Sequence, residues 1–251
     1  MRGDRVDWHV SGQRIISIYF AKLGRRMTFS ILGHCSRSGM LGMAVSSSSP
    51  AVAARCAHAR SHTGVVATQN ITDPTLGPKG LALMAEGLDA ESALERLKSE
   101  ATHVEYRQLL LLDRGGKSAG FSGAKTLGTH AMALGRKAAA AGNLLKDAEV
   151  PFRMLARFEE TQALDLGDRL IEAMMAGLRA GGEAGPVHSA GLVMVRDVPW
   201  PVADLRIDWH DTDPIDELAK LWRRYKPQME DYVMRALSPE QAPSYGVSGD
   251  K

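Results

Sequence analysis

The order of its periodic segments constrains this chain more than any single motif does. Extended and helical patterns succeed one another as strands, a helical pair, strands, a second helical pair, strands and a closing helix. Two sheets built from antiparallel hairpins can bury one face against each other, and each then needs its second face covered by helices. The expected architecture is therefore α+β, a four-layer αββα sandwich of two mainly antiparallel sheets. A doubly wound parallel fold would require a regular β-α-β alternation, which this order lacks.

Residues 27–32 and 41–49 read as strands joined by a polar turn at 34–39, and Pro50 stops the second. Residues 51–62 read as a short helix or an irregular extended stretch, with alanine content favouring the helix. A strand over 63–69 leaves through a loop at 70–74. The first helical pair spans 78–86 and 90–101, with Asp89 as N-cap of the second and Ala90, Ala93, Leu94 and Leu97 on one face. Strands at 106–113 and 118–123 flank a turn at 114–117, and one extended stretch covers 130–141. Helices follow at 151–159 and 163–180, the latter ended by Gly181-Gly182. Asp165 and Asp168 read as solvated residues on its exposed side. Strands at 189–196 and 202–209 and a helix from Pro214 complete the order.

A chain of 251 residues with 44% hydrophobic and 24% charged residues has ordinary globular composition. One domain over 28–238 is expected, with 239–251 a mobile Pro-, Ser- and Gly-rich tail. Residues 1–27 read as an extension: a propeptide, a loosely ordered segment, or sequence ahead of a true start at Met27. They hold six of the 31 basic and two of the 29 acidic residues, which leaves 25 basic against 27 acidic beyond Met27. A slightly acidic body without a basic, aromatic-interleaved stripe gives nucleic-acid binding little support. The apolar run at 15–23 is far too short to span a bilayer, so no membrane partner is expected. Two cysteines make no disulfide framework, which points to reduced thiols and a cytoplasmic location.

Thr28 carries the sharpest chemistry. If the chain began there, one residue would hold both a nucleophilic hydroxyl and, in its α-amine of pKa about 7.7 to 8.0, the base that activates it. The competing reading is a hydroxyl on an edge strand. Ser47 falls where alternate serines of a strand would wall a pocket near Thr28. Asn143, after Gly142, could aim an amide donor at a developing oxyanion, or the pair could simply make a turn. Gln69 and Asn70 end a strand as substrate-orienting amides or as loop caps. Arg107 and Arg206 could hold a carboxylate bidentately, with a structural ion pair as the plainer alternative. Cys56, His58 and His62 invite a zinc reading that the flanking Arg55 and Arg60 and the missing His-Glu-x-x-His pattern oppose, so neither metal nor cofactor is expected. The serine run at 46–49 lacks a Gly-x-Ser-x-Gly elbow.

Several segments taken in order resemble a known family. They are Thr28-Phe29-Ser30-Ile31, Gly42-Met43-Ala44-Val45-Ser46-Ser47, Val66-Ala67-Thr68-Gln69-Asn70, Leu76-Gly77-Pro78-Lys79-Gly80-Leu81, Glu105-Tyr106-Arg107-Gln108, Gly142-Asn143, Ser189-Ala190-Gly191, and Asp204-Leu205-Arg206-Ile207-Asp208 with Asp213-Pro214. The set is similar to the bacterial and archaeal domain-of-unknown-function family numbered 1028, placed in the N-terminal nucleophile hydrolase superfamily. The resemblance implies an αββα fold and amide-bond hydrolysis by the residue after the initiator methionine. It implies no substrate, and the extension ahead of Thr28 departs from the pattern.

Two functions are carried forward. The first is an N-terminal nucleophile amidohydrolase acting on a small or peptide-like amide, with Thr28 as nucleophile and Asn143 or a nearby backbone N–H stabilising the oxyanion. The second is a non-catalytic ligand-binding or assembly module on the same fold. Strand edges and the Met-rich helical segment at 171–178 offer surfaces for a homo-oligomer.

Overall fold

The computed structural model describes residues 28–247. The readings made for residues 1–27 lie outside them, as does the end of the tail. Among the described residues, ten strands form two wholly antiparallel sheets. The first strands are β1 (Thr28–His34), β2 (Leu41–Ser47), β3 (Ala57–Arg60) and β4 (Gly64–Asn70). They are followed by β5 (Arg107–Asp113), β6 (Ser118–Ser122), β7 (Ala131–Gly135), β8 (Ala138–Asn143), β9 (Ser189–Val195) and β10 (Ala203–Ile207). One sheet has the order β10-β9-β2-β1-β8-β7 and the other β3-β4-β5-β6. The helices are α1 (Ala53–Cys56), α2 (Leu76–Ala85), α3 (Ala90–Glu100), α4 (Val150–Glu160), α5 (Leu166–Arg179), α6 (Pro214–Tyr225) and α7 (Met229–Leu237).

The layers are those of an αββα sandwich. Helices α4 to α7 cover the outer face of the six-stranded sheet through Phe29, Ile31, Met154, Phe158, Leu170, Met174 and Trp222. Helices α2 and α3 cover the four-stranded sheet through Val66, Leu81, Leu94, Leu97, Leu109 and Leu111. Between the sheets lies a third apolar layer of Leu32, Met43, Val45, Val65, Ala67, Leu110, Leu112, Ala139 and Ala141. Strands buried on both faces explain why 106–113 reads as a continuous apolar run.

Local chemistry accounts for the boundaries. Asp89 caps α3 by accepting from Ser92 N at 3.0 Å. Gly181 and Gly182, with φ of 115° and 55°, end α5 in a conformation that glycine alone adopts freely.

Four expectations are corrected. Residues 51–62 divide into α1 and the strand β3, because His58 and its neighbours complete the edge of the smaller sheet against β4. The stretch 130–141 is a hairpin, β7 and β8, turning at Arg136-Lys137 with Lys137 at φ 66°. A further helix, α7, follows the closing one; within it, Arg235 lies 3.9 Å from the Tyr245 ring centroid and donates to Pro243 O. Asp168 is engaged, accepting from Trp222 Nε1 at 2.8 Å and Lys226 Nζ at 2.6 Å, whereas Asp165 stays largely exposed as read and pairs with Lys226 at 2.7 Å. Among the described residues, no helix is long and apolar enough to cross a membrane.

Candidate active site

The inter-sheet layer is apolar along most of its length and turns polar at one end. Successive side chains of a strand alternate between faces, so each strand can be followed along a single face. On β1 the inward series is Leu32, Ser30, Thr28; on β2 it is Met43, Val45, Ser47; on β8 it is Ala139, Ala141, Asn143. Across the gap, β4 continues Val65 and Ala67 with Gln69, and β5 continues Leu112 and Leu110 with Gln108. All five change character at the same end.

Register aligns these ends into a row. Thr28 pairs with Ser47 on one side and Asn143 on the other, and Ser47 pairs in turn with Ser189. Thr28 is only 7% exposed, and its Oγ1 donates to Ser47 Oγ at 3.3 Å. Ser47 Oγ lies 2.9 Å from Ser49 Oγ and accepts from Ser49 N at 3.1 Å. Arg55 donates to Ser49 Oγ, and Ser189 Oγ donates to Ser49 O at 2.6 Å, which ties the loop after β2 to β9. Opposite, Ser30 Oγ donates to Gln69 Oε1 and Gln69 Nε2 to Gln108 Oε1, each at 2.8 Å. Asn143 Nδ2 also donates to Gln108 Oε1, at 3.2 Å. One buried network thus joins both sheets beside Thr28.

Of the predicted site residues, Thr28, Ser47, Gln69 and Asn143 come together here. Asn70 and Arg107 do not, and alternation is the reason: Gln69 and Gln108 point inward, so their chain neighbours point away. Asn70 sits at φ 73°, donates to Tyr106 O at 2.6 Å and accepts from Leu127 N at 3.2 Å, which makes it a loop clamp. Arg107 donates to Ile71 O in the same loop. Arg206 forms a 2.9 Å ion pair with Asp204. The Gly142-Asn143 pair is the end of a strand rather than a turn. Cys56 contacts Thr72 Oγ1 at 3.6 Å while His58 packs on Gly77, and no three acidic, Cys or His side chains among the described residues form a metal-sized cluster.

Sequence reasoning passed over four buried residues at this end, Ser189 among them. Ser30 and Gln108 were findable as inward-parity positions. Glu183 carried no signal, because it lies in a loop brought here by an isolated bridge to Leu145. Only 4% exposed, it accepts from Ser48 N at 3.1 and 3.2 Å, and burial pushes its carboxyl pKa up to about 9. The folded state therefore binds this proton more tightly than the unfolded state does. The associated stability is full below about pH 4.5 and is lost as pH rises towards 9. Glu183→Gln, which keeps an acceptor and cannot ionise, is expected to gain on the wild type by up to about 1.4 kcal/mol per pH unit through that window. Urea midpoints of both proteins measured from pH 5 to 9 check this; parallel curves would show that the carboxyl ionises without penalty.

A cavity of about 400 Å³ lined by Cys35, Arg37, Met40, Trp222 and Lys226 lies at the far end of β1, about 20 Å from Thr28 along the strand. Its charges are paired with one another, Lys226 with Asp165 and Arg196 with Glu230, and it is separate from the polar row.

A model of the family of unknown function DUF1028 matches residues 28–218. The chain belongs to that family. Among solved structures, the crystal structure of a DUF1028 protein from Silicibacter pomeroyi superposes with a TM-score of 0.74 at 27% identity, covering 80% of this chain and 89% of that one. Anbu, the ancestral beta-subunit from Yersinia bercovieri, gives a TM-score of 0.37 at 10% identity, covering 81% of this chain and 97% of that one. No curated protein matches. The DUF1028 match covers every strand of the sandwich and its helices up to the first turn of α6, and it includes the whole polar row.

Proposed function

We propose that this DUF1028 protein is an N-terminal nucleophile amidohydrolase in which Thr28, once its α-amine is free, attacks the carbonyl of a small or peptide-like amide. The observation that carries the reading is the row itself: Thr28 lies between Ser47 and Asn143, where the inward face of the strands turns from apolar to hydrogen-bonding. An apolar layer has no use for buried amides and hydroxyls, since each must find a partner or cost free energy. Their concentration around one threonine suits a substrate amide that needs donors and acceptors in a water-poor site. That the family match begins at Thr28 is in keeping with this.

In this mechanism the Thr28 hydroxyl loses its proton to the α-amine as Oγ1 bonds to the substrate carbonyl carbon. A backbone N–H near the row holds the oxyanion, because Asn143 Nδ2 is engaged by Gln108. Loss of the leaving amine gives an ester on Oγ1, and water hydrolyses it. Ser47, within hydrogen-bond reach of Oγ1, orients the hydroxyl. No cofactor is required.

The test is the intact mass and N-terminal sequence of the untagged protein made from its own gene. A chain starting at Thr28 is the expected result. One starting at Met1 or Met27 would deprive the hydroxyl of its base and leave a ligand-binding or assembly module as the reading of this fold.

A further inference from the structure

The amide network beside Thr28 has a polarity that one backbone atom dictates. Gly142 O can only accept, so the Gln108 side-chain atom 3.0 Å from it is Nε2, whose second proton goes to Ser122 Oγ at 2.9 Å. The remaining Gln108 atom is Oε1, and both of its partners must therefore be donors. They are Gln69 Nε2 and Asn143 Nδ2. Gln69 then presents its oxygen to the Ser30 hydroxyl, and Gln108 has every hydrogen-bonding position filled. Asn143 is left with its carbonyl oxygen pointing away from Gln108. That atom, Asn143 Oδ1, is buried and has no hydrogen-bond partner among the described residues.

A buried amide oxygen without a partner costs about 1–3 kcal/mol, and native structures keep few of them. The strand partner of Asn143 is Thr28, and side chains opposed in this way sit about 5 Å apart on one face. An acceptor placed there opposes an oxyanion and favours an N–H donor. We infer that Asn143 Oδ1 accepts a hydrogen bond from the Thr28 α-amine, and that Gln108 is the positioning residue that presents it.

This rests on the N-terminal nucleophile reading and specifies how its base is held. One amine N–H donates to Oδ1, which fixes the amine so that its lone pair faces the Thr28 hydroxyl. The Oγ1 proton passes to that lone pair while the Oγ1–carbon bond forms. The proton then moves to the leaving nitrogen as the carbon–nitrogen bond breaks, returning the amine to its neutral form. Among the described residues, the charged or titratable residues bonded into this end are Glu183 on Ser48 N–H, Arg55 on Ser49 Oγ, and His188, whose backbone N–H donates to Ser47 O. All three stay in place when Asn143 is changed.

The experiment measures the rate of Thr28 labelling by a β-lactone probe from pH 5 to 10 in the wild type, Asn143→Asp and Asn143→Ala. A carboxylate at Oδ1 stabilises the ammonium, so the midpoint of the acid limb is expected to rise by about 1 to 3 pH units in Asn143→Asp. Loss of the acceptor is expected to lower the midpoint in Asn143→Ala and to slow labelling at least about tenfold. Gln108→Leu, which lets the Asn143 amide rotate, should shift the midpoint as Asn143→Ala does. Opposite shifts in the two Asn143 variants are something a purely structural role would not produce. Where the Asp variant fails to fold, the downward shift in the Ala variant decides. Unmoved midpoints with labelling still dependent on Thr28 would overturn this inference alone. Labelling that survives Thr28→Ala would overturn the proposed function itself.

Discussion

Thr28→Ala is expected to reduce covalent labelling by a β-lactone or an activated amide to background while the protein stays folded. The substitution removes one hydroxyl and one methyl at the end of β1, where the hydroxyl makes a single long bond of 3.3 Å to Ser47 Oγ. Its effect on stability should be about 1 kcal/mol, within the ordinary range for a point change. Its effect on chemistry should be complete, because no other atom of the residue can form the ester. Far-UV circular dichroism and a thermal melt establish folding, and mass spectrometry after labelling locates the adduct. Ser47→Ala provides the graded comparison: its hydroxyl orients the nucleophile without bonding to substrate carbon, so labelling should slow rather than vanish. Equal labelling of wild type and Thr28→Ala would remove Thr28 from the mechanism.

Trp222→Ala should be the most destabilising single change in the outer helical layer. The indole is 2% exposed, lies against Gly167 so closely that an added Cβ there would meet Cζ2 at 2.4 Å, and donates to Asp168 Oδ1 at 2.8 Å. Removing it opens a large cavity between α5 and α6, which costs about 3–5 kcal/mol. Each kcal/mol lowers the melting temperature of a domain this size by about 2–4 °C, so a drop of roughly 6–20 °C is expected. Trp222→Phe, which keeps most of the volume and loses the N–H bond, should sit between the two. Trp222 belongs to the core on the far side of the six-stranded sheet from Thr28. Labelling of Thr28 by the β-lactone should therefore persist in Trp222→Ala below its melting temperature. A loss under about 1 kcal/mol would show that the layer closes over the gap.

Both predictions depend on separating layers, and that separation was legible before the structure. Helices with one apolar stripe, hairpins with apolar strands and their order along the chain point to two sheets sealed by two helical layers, because that arrangement buries every apolar face. The cap at Asp89 and the glycine stop at 181–182 were equally legible, since both are decided by bonds within a few residues. Where a segment's state depends on a distant partner, local reading failed: β3 exists because β4 offers an open edge, whatever the alanines of 51–62 prefer.

The candidate site divides in the same way. Thr28 could be picked out from its own chemistry, and the parity of Gln69 and Gln108 with their apolar neighbours was present in the chain. Register is not. Only the paired strands show that Thr28, Ser47, Asn143 and Ser189 share one row, that Gln108 faces it while Arg107 turns away, and that Glu183 is folded in beside it. Sequence by itself determined the layers, because burial of periodic apolar faces is a property of each segment. The tertiary structure alone decided which polar ends meet, because a shift of one residue in strand pairing would send every one of them to the opposite face.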